Sequence, residues 1–276
     1  MTAFPASQIP VYYINVASRL DRRQFMEEQF ARLGIVAERL DAVTPREVSD
    51  TRMAAHQGSG TPSAMARVEV ACSMSHEKAW RLFLSRGQPV ALVLEDDVVM
   101  GNGLKTLLSP SVYADIDAEL VKLETTYELI RVGQIRRTAG HYAIRQLLAT
   151  HVGTGAYVIT ADMARRVLAD PRLQAITVDN YLFSRKGPVI PSRGLLQVEP
   201  APAVQLVHYR GGKRGQAGDS DLEGDRAHLR AARPRRDGWR SALASISYTL
   251  RLVAHILPDP EARRQKRRAI AFEHDA

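Results

Sequence analysis

Apolar and polar positions alternate along this chain in blocks that predict an α/β sheet. "IPVYYINV" (9–16) is a short apolar run rich in β-branched and aromatic residues, a buried strand. In "SRLDRRQFMEEQFARLGI", Phe25, Met26, Phe30 and Leu33 fall on one helical face, and Gly34 is a C-terminal stop. "VAERLDAV" predicts a second strand and completes a β-α-β opening. Residues 44–66, with "GSGTPS" among them, predict a long mobile loop. In "VEVACSMSHEKAWRLFLSRG" apolar residues recur at three and four, which predicts a helix ended by Gly87. "PVALVL" (89–94), "YELIRVG" (127–133) and "GAYVIT" (155–160) predict strands, and "TADMARRVLADP" a short helix capped by Thr160. "PVALVL" lacks a period of two, so both of its faces are expected to be covered, as in a parallel or mixed central sheet.

Composition narrows the class. The 276 residues are 45% hydrophobic, enough for one large domain with an appendage. A single cysteine, Cys72, excludes an intrachain disulfide and is read as excluding a cysteine-based zinc site, which fits a reducing, cytoplasmic compartment. The opening residues lack the pattern of a signal peptide, and no apolar run is long enough to cross a bilayer. The net charge is +8, yet Arg230 onward holds eleven basic and five acidic residues. The expected division is therefore a nearly neutral domain at 1–229 and a basic tail at 230–276. A near-neutral domain argues against nucleic acid as a partner. In the tail, Trp239, Leu243, Ile246, Leu250, Val253 and Leu257 form a helical stripe flanked by arginines. Such a helix over 239–257 suits an anionic membrane surface, docking on its own domain, or pairing with a second copy; the oligomeric state stays open.

The candidate chemistry centres on "VALVLEDDVVM" (90–100), where Glu95, Asp96 and Asp97 end an apolar strand. Three adjacent carboxylates repel one another unless water or a cation reaches them. Ligands of open α/β sheets sit beyond the carboxyl ends of the strands. Alternation sends Glu95 and Asp97 one way and Asp96 the other. Carboxylate oxygens there suit Mg²⁺ or Mn²⁺, which could bridge to a diphosphate; helix capping or solvation would account for the triplet too. Asn15, Arg19, Arg22 and Arg23 follow the first strand, where arginines can hold a phosphate, although a solvated helix start explains them as well. Ser75 and His76 lie on the helix before the triplet, where a histidine often serves structure alone. Asp179, in "TVDNYLF", is either functional or a helix cap.

Together these blocks resemble glycosyltransferase family 25, the group of bacterial lipooligosaccharide galactosyltransferases that includes collagen galactosyltransferases. "YYINVASRLDRRQFMEEQFARLGI" looks like the family's opening with its arginine pair, Arg19 and Arg22. "ACSMSHEKAW" is similar to its Cys-x-x-Ser-His-x-x-x-Trp segment, and "ALVLEDDV" to its acidic signature. "GTGAYVIT", with Thr154, "TVDNYLF" and "LLQVEPAPAVQ" follow in the family's order, so the resemblance spans about 9–206. Gly155 departs from it, standing where a bulkier residue is expected. The resemblance implies a glycosyltransferase A-type fold with a central mixed β-sheet flanked by helices. It also implies a UDP-sugar donor, a glycan or lipid-linked oligosaccharide acceptor, Mn²⁺ or Mg²⁺, and inversion at the anomeric carbon. Asp97, with Asp96 or Glu95 and with His208, is then expected to hold the metal. Asn15, Arg19, Arg22, Ser75, His76, Glu95, Asp96 and Thr154 are expected to bind substrate, Asp96 alternatively through the donor ribose. Asp179 is expected to act as the base, with Glu128 and Glu199 as rivals. A non-catalytic nucleotide-sugar- or glycan-binding member of the same fold is the alternative.

Overall fold

The computed structural model describes residues 2–57, 65–184, 187–190, 192–209, 246, 249–254, 263 and 267–275. The chain opens with β1 (Val11–Asn15), α1 (Leu20–Leu33) and β2 (Glu38–Asp41). Next come α2 (Asp50–Gln57), α3 (Arg67–Ser85), β3 (Val90–Glu95) and β4 (Val98–Met100). β5 (Leu120–Lys122), β6 (Glu124–Thr125), β7 (Leu129–Ile130), β8 (Val132–Ala139) and β9 (Tyr142–Leu147) follow. The remaining elements are β10 (Ala156–Thr160), α4 (Ala161–Ala169), α5 (Val178–Phe183), β11 (Leu195–Glu199), β12 (Ala203–Gln205) and β13 (Arg268–Ala269).

Eight strands form one mixed sheet in the order β2-β1-β3-β10-β5-β11-β9-β8. β1 runs parallel to β2 and to β3, whereas β10 runs antiparallel to β3 and β5. This is the expected α/β architecture with a central mixed sheet and flanking helices. Alternation along the central strands feeds two cores. Tyr12, Ile14, Ala91 and Val93 pack with Trp80 and Phe83 of α3 on one face. Val11, Tyr13, Leu92 and Leu94 pack with Met26 and Phe30 of α1 on the other. "PVALVL" shows no period of two because both faces are covered. Gly34 ends α1 at φ +61°, the left-handed conformation a helix stop favours. Thr160 caps α4 by accepting a hydrogen bond from the Met163 amide at 3.3 Å.

Two expectations change. The loop expected over 44–66 contains α2, whose Met53 packs with Val48, Val70 and Ala71 in a small core of its own. Residues 58–64, including most of "GSGTPS", lie outside the described residues. The strand expected over 127–133 is split at Arg131: β7 pairs with β13, while β8 pairs with β9 in the main sheet.

The C-terminal end returns to the domain. Ile270 and Phe272 are fully buried, and the Ala201 amide donates to the Ala271 carbonyl at 2.8 Å. The tail is therefore not an appendage along its whole length. Of the expected stripe, Ile246, Leu250 and Val253 are described and exposed, while Arg251 donates to the Pro188 carbonyl at 2.9 Å. Trp239, Leu243 and Leu257 lie outside the described residues. No helix among the described residues is long and apolar enough to cross a membrane.

Candidate active site

The acidic triplet stands where β3 gives way to β4. β1 and β3 run side by side in parallel with Ile14 opposite Glu95, so Asn15 and the triplet share the carboxyl edge of the sheet. Alternation then divides the triplet as the sequence implies. Asp96 turns to one side, where Asn15 donates to Oδ2 at 2.7 Å and Arg22 to Oδ1 at 3.1 Å. Burial raises the Asp96 pKa, against the opposing pull of Asn15 and Arg22. Arg39 donates in turn to the Asn15 side-chain oxygen at 3.2 Å.

Glu95 and Asp97 face the other way, into a cavity of about 330 Å³ that Thr154, Asp179, Gln205 and His208 also line. β12 runs antiparallel to β4 with Gln205 opposite Val98, and this brings the Gln205 amide to both carboxylates. It donates to Glu95 Oε2 at 3.0 Å and to Asp97 Oδ1 at 3.2 Å. Thr154 donates to Glu95 Oε1 at 2.6 Å, and His76 Nε2 lies 3.3 Å from the same oxygen. Burial works to raise the Glu95 pKa, but hydrogen bonds from His76 and Thr154 outweigh it and leave the group below the usual range. Asp97 has weaker support. Burial and the adjacent Glu95 charge push it up to about 7. Two carboxylates are thus forced together on a cavity wall, and one of them tends to keep a proton for want of a counter-charge. With the His208 imidazole on the same wall, this oxygen-rich donor set fits a hard divalent cation such as Mn²⁺ or Mg²⁺.

A buried layer holds this wall in place. Trp80 Nε1 donates to the Tyr157 hydroxyl at 2.9 Å, and that hydroxyl lies 2.8 Å from His76 Nδ1. Below the cavity, fully buried Lys122 and Glu124 pair at 2.6 Å. Lys122 also donates to the Gly153 carbonyl at 2.7 Å, and the Gly155 amide donates to Glu124 at 2.9 Å. The pair thereby clamps the segment that carries Thr154. A Cβ on Gly155 would stand 2.6 Å from Glu124 Oε2 and 2.7 Å from the Gln205 side chain. The absence of a bulkier residue at 155 follows from that crowding.

The expected site residues therefore separate. Glu95, Asp97, Thr154, Asp179 and His208 share the cavity, with His76 directly behind Glu95. Asn15, Arg22 and Asp96 form a separate polar cluster. Asp96 does not join the cavity wall; its oxygens accept hydrogen bonds from Asn15 and Arg22, so Glu95 and Asp97 are the carboxylates of the triplet that line the cavity. Ser75 staples structure: it accepts from the Val43 amide at 2.9 Å and donates to the Ala71 carbonyl at 2.8 Å. Arg19 pairs with Asp21 at 2.9 Å. Of the rival bases, Glu128 is exposed, and Glu199 is bound by Arg145 and Arg268, each at 2.7 Å. Asp179 stands in the first turn of α5 and accepts from the Asn180 amide at 2.7 Å through Oδ1. Its Oδ2 accepts no hydrogen bond among the described residues. The site reading missed Gln205 and the Lys122–Glu124 pair. Lys122 and Glu124 stand two apart within an apolar run, which was a signal for one strand face carrying opposite charges.

The family model for glycosyltransferase family 25 (LPS biosynthesis protein) matches residues 8–182, more than half of the chain. The chain belongs to glycosyltransferase family 25. This family 25 member is 31% identical over 274 residues to the lacto-N-neotetraose biosynthesis glycosyltransferase LgtB of Neisseria meningitidis serogroup B, covering 93% of this chain and 96% of that protein. It is 29% identical over 240 residues to the lacto-N-neotetraose biosynthesis glycosyltransferase LgtE of Neisseria gonorrhoeae, covering 80% of this chain and 83% of that protein. The lipooligosaccharide biosynthesis protein lic2B of Haemophilus influenzae is 22% identical, covering 70% and 75%. As a family 25 member the protein is a glycosyltransferase. The family match covers β1, the acidic triplet, Thr154 and Asp179, but ends before Gln205 and His208.

Proposed function

We propose that this glycosyltransferase moves a hexose, galactose in the first instance, from a UDP-sugar to a lipooligosaccharide or related glycan, with inversion at the anomeric carbon. The observation that carries the reading is the pairing of Glu95 and Asp97 on the wall of a cavity that also exposes Asp179. The relatives named for lacto-N-neotetraose and lipooligosaccharide biosynthesis supply the acceptor class.

Transfer breaks the bond between the anomeric carbon and the diphosphate and forms one to an acceptor oxygen. Glu95, Asp97 and His208 would hold Mn²⁺ or Mg²⁺, which when bound offsets the negative charge that develops on the departing diphosphate. Gln205 fixes the spacing of the two carboxylates, and Thr154 and His76 keep Glu95 ionised and oriented. Asp179 takes the acceptor hydroxyl proton on its Oδ2, while Thr177 and Asn180 hold Oδ1. Asn15, Arg22 and Asp96 sit at the same sheet edge on the other side of the triplet, and in this reading they would meet the nucleoside end of the donor.

The test is a transfer assay over a panel of UDP-hexoses with a lactose- or glucose-terminated acceptor. Product is expected from UDP-galactose with Mn²⁺ or Mg²⁺ and none in excess chelator. Asp97→Asn is expected to abolish transfer while leaving the circular dichroism spectrum unchanged. Full turnover in chelator would overturn the metal-assisted reading.

A further inference from the structure

Cys72 and His76 stand one turn apart on the same face of α3, and Glu95 ends the strand beside them. One ligand atom from each, a thiol sulfur, an imidazole nitrogen and a carboxylate oxygen, lie within 4.8 Å of one another. Cys72 and Glu95 both line the cavity, so an ion can reach them from its open side. We propose that Cys72, His76 and Glu95 form a second metal site, selective for a soft divalent cation such as Zn²⁺, on the wall of this cavity. A single cysteine suffices, because a histidine and a carboxylate complete three ligands and the cavity leaves a fourth position to water.

The geometry is close to what such an ion needs. Metal–nitrogen and metal–oxygen bonds of about 2.1 Å at a tetrahedral angle place the two ligand atoms about 3.4 Å apart. His76 Nε2 and Glu95 Oε1 are 3.3 Å apart. The buried contacts behind the histidine support ligation. Trp80 can only donate, so the Tyr157 oxygen accepts from it and keeps a second lone pair. In the metal-free protein the ring carries its proton on Nε2, toward Glu95; ligation needs the other tautomer, with the proton on Nδ1, where the Tyr157 lone pair accepts it at 2.8 Å and Nε2 faces the ion. Binding releases the Cys72 thiol proton to solvent as the sulfur–metal bond forms. Sulfur selects for Zn²⁺ or Cd²⁺ over Mg²⁺ and Mn²⁺, which prefer oxygen. Glu95 cannot serve both ions fully, so a soft cation here opposes the hard cation at Asp97. That antagonism rests on the proposed donor site, whereas the soft site itself does not.

The experiment titrates Cd²⁺ into metal-free full-length protein and follows the ultraviolet sulfur-to-cadmium charge-transfer band. Cys72 is the chain's one cysteine, so the band reports this residue alone. The expected result is saturation at one equivalent, displacement by Zn²⁺ but not by equal Mn²⁺, and retention of the band in Asp97→Asn. His76→Gln is expected to weaken cadmium binding by at least about tenfold. No band in the wild-type protein would overturn the proposal. So would an unchanged affinity in folded His76→Gln, which would mean that the thiol captures cadmium by itself. Because no donor or acceptor sugar is present, a failure of the transferase reading leaves this readout intact.

Discussion

Asp97 sits in an environment far from that of an isolated carboxylate. Burial and the Glu95 charge push it up to about 7, well above its value in an unfolded chain. Between those two values the native state binds the extra proton, so stability falls as pH rises through this window and the contribution is lost above about 7. Asp97→Asn is therefore expected to melt at a higher temperature than the wild-type protein at pH 8, with the difference vanishing near pH 4. Thermal melts across pH in chelator check this, and a wild-type protein that is the more stable at pH 8 would contradict the geometry. Saturating Mn²⁺ is expected to narrow the gap, since the cation supplies the missing counter-charge. At Gly155 the expectation is steric. Gly155→Ala places a methyl group against Glu124 and Gln205, both of which anchor the site. A stability loss of about 1–3 kcal/mol is expected by denaturant titration, the cost typical of overpacking, together with reduced transfer.

At the scale of elements, the parts around the cavity were legible to different degrees. β1, α1, β3 and α3 carry strong apolar periodicity, and each stands where the pattern places it. β5, β9 and β11 do not read as strands, because Lys122, Arg145 and Gln197 interrupt them. Those polar residues are satisfied by Glu124, Glu199 and His151, and two of these three partners lie on other elements or loops far along the chain. The β5–β6 corner offers a direct test of what the buried pair contributes. Lys122→Met strands an uncompensated carboxylate and is expected to cost about 3–5 kcal/mol. Adding Glu124→Gln removes that charge while keeping an acceptor for the Gly155 amide, and is expected to restore much of the loss. Urea unfolding of the two variants measures this, and a Lys122→Met protein of unchanged stability would show that the pair does not clamp the Thr154 segment.

Over the whole molecule the tail joins two behaviours. Its end is core: Ile270 and Phe272 are fully buried, and Glu273 bonds to the Gly103 amide at 3.0 Å. Its middle presents Ile246, Leu250 and Val253 at 56%, 66% and 43% exposure, with a basic excess in the surrounding sequence. We propose that this face meets an anionic membrane carrying a lipid-linked acceptor, each nearby basic residue contributing about 1 kcal/mol at low salt. Truncation at 230 would remove core residues and confuse the result. Replacing Ile246, Leu250 and Val253 together by serine is the cleaner variant. It is expected to lose binding to phosphatidylglycerol vesicles while keeping its melting temperature and its turnover of a short soluble glycan. Vesicle sedimentation equal to wild type would exclude this face, and a large fall in melting temperature would show that the stripe docks within the protein.

The amino-acid pattern alone determined the α/β class, the position of the triplet at a strand end, and the split of Glu95 and Asp97 from Asp96. These depend on periods of two and of three to four, which are local properties of the backbone. Which carboxylates line the cavity, which histidine stands behind Glu95, and that Gln205 bridges Glu95 and Asp97 were decided only by tertiary structure. β12 reaches the triplet from more than a hundred residues away, and the Ile270–Phe272 segment returns from farther still. Such contacts depend on strand order and register across the whole sheet, and no spacing along the chain encodes those in a form that can be read locally.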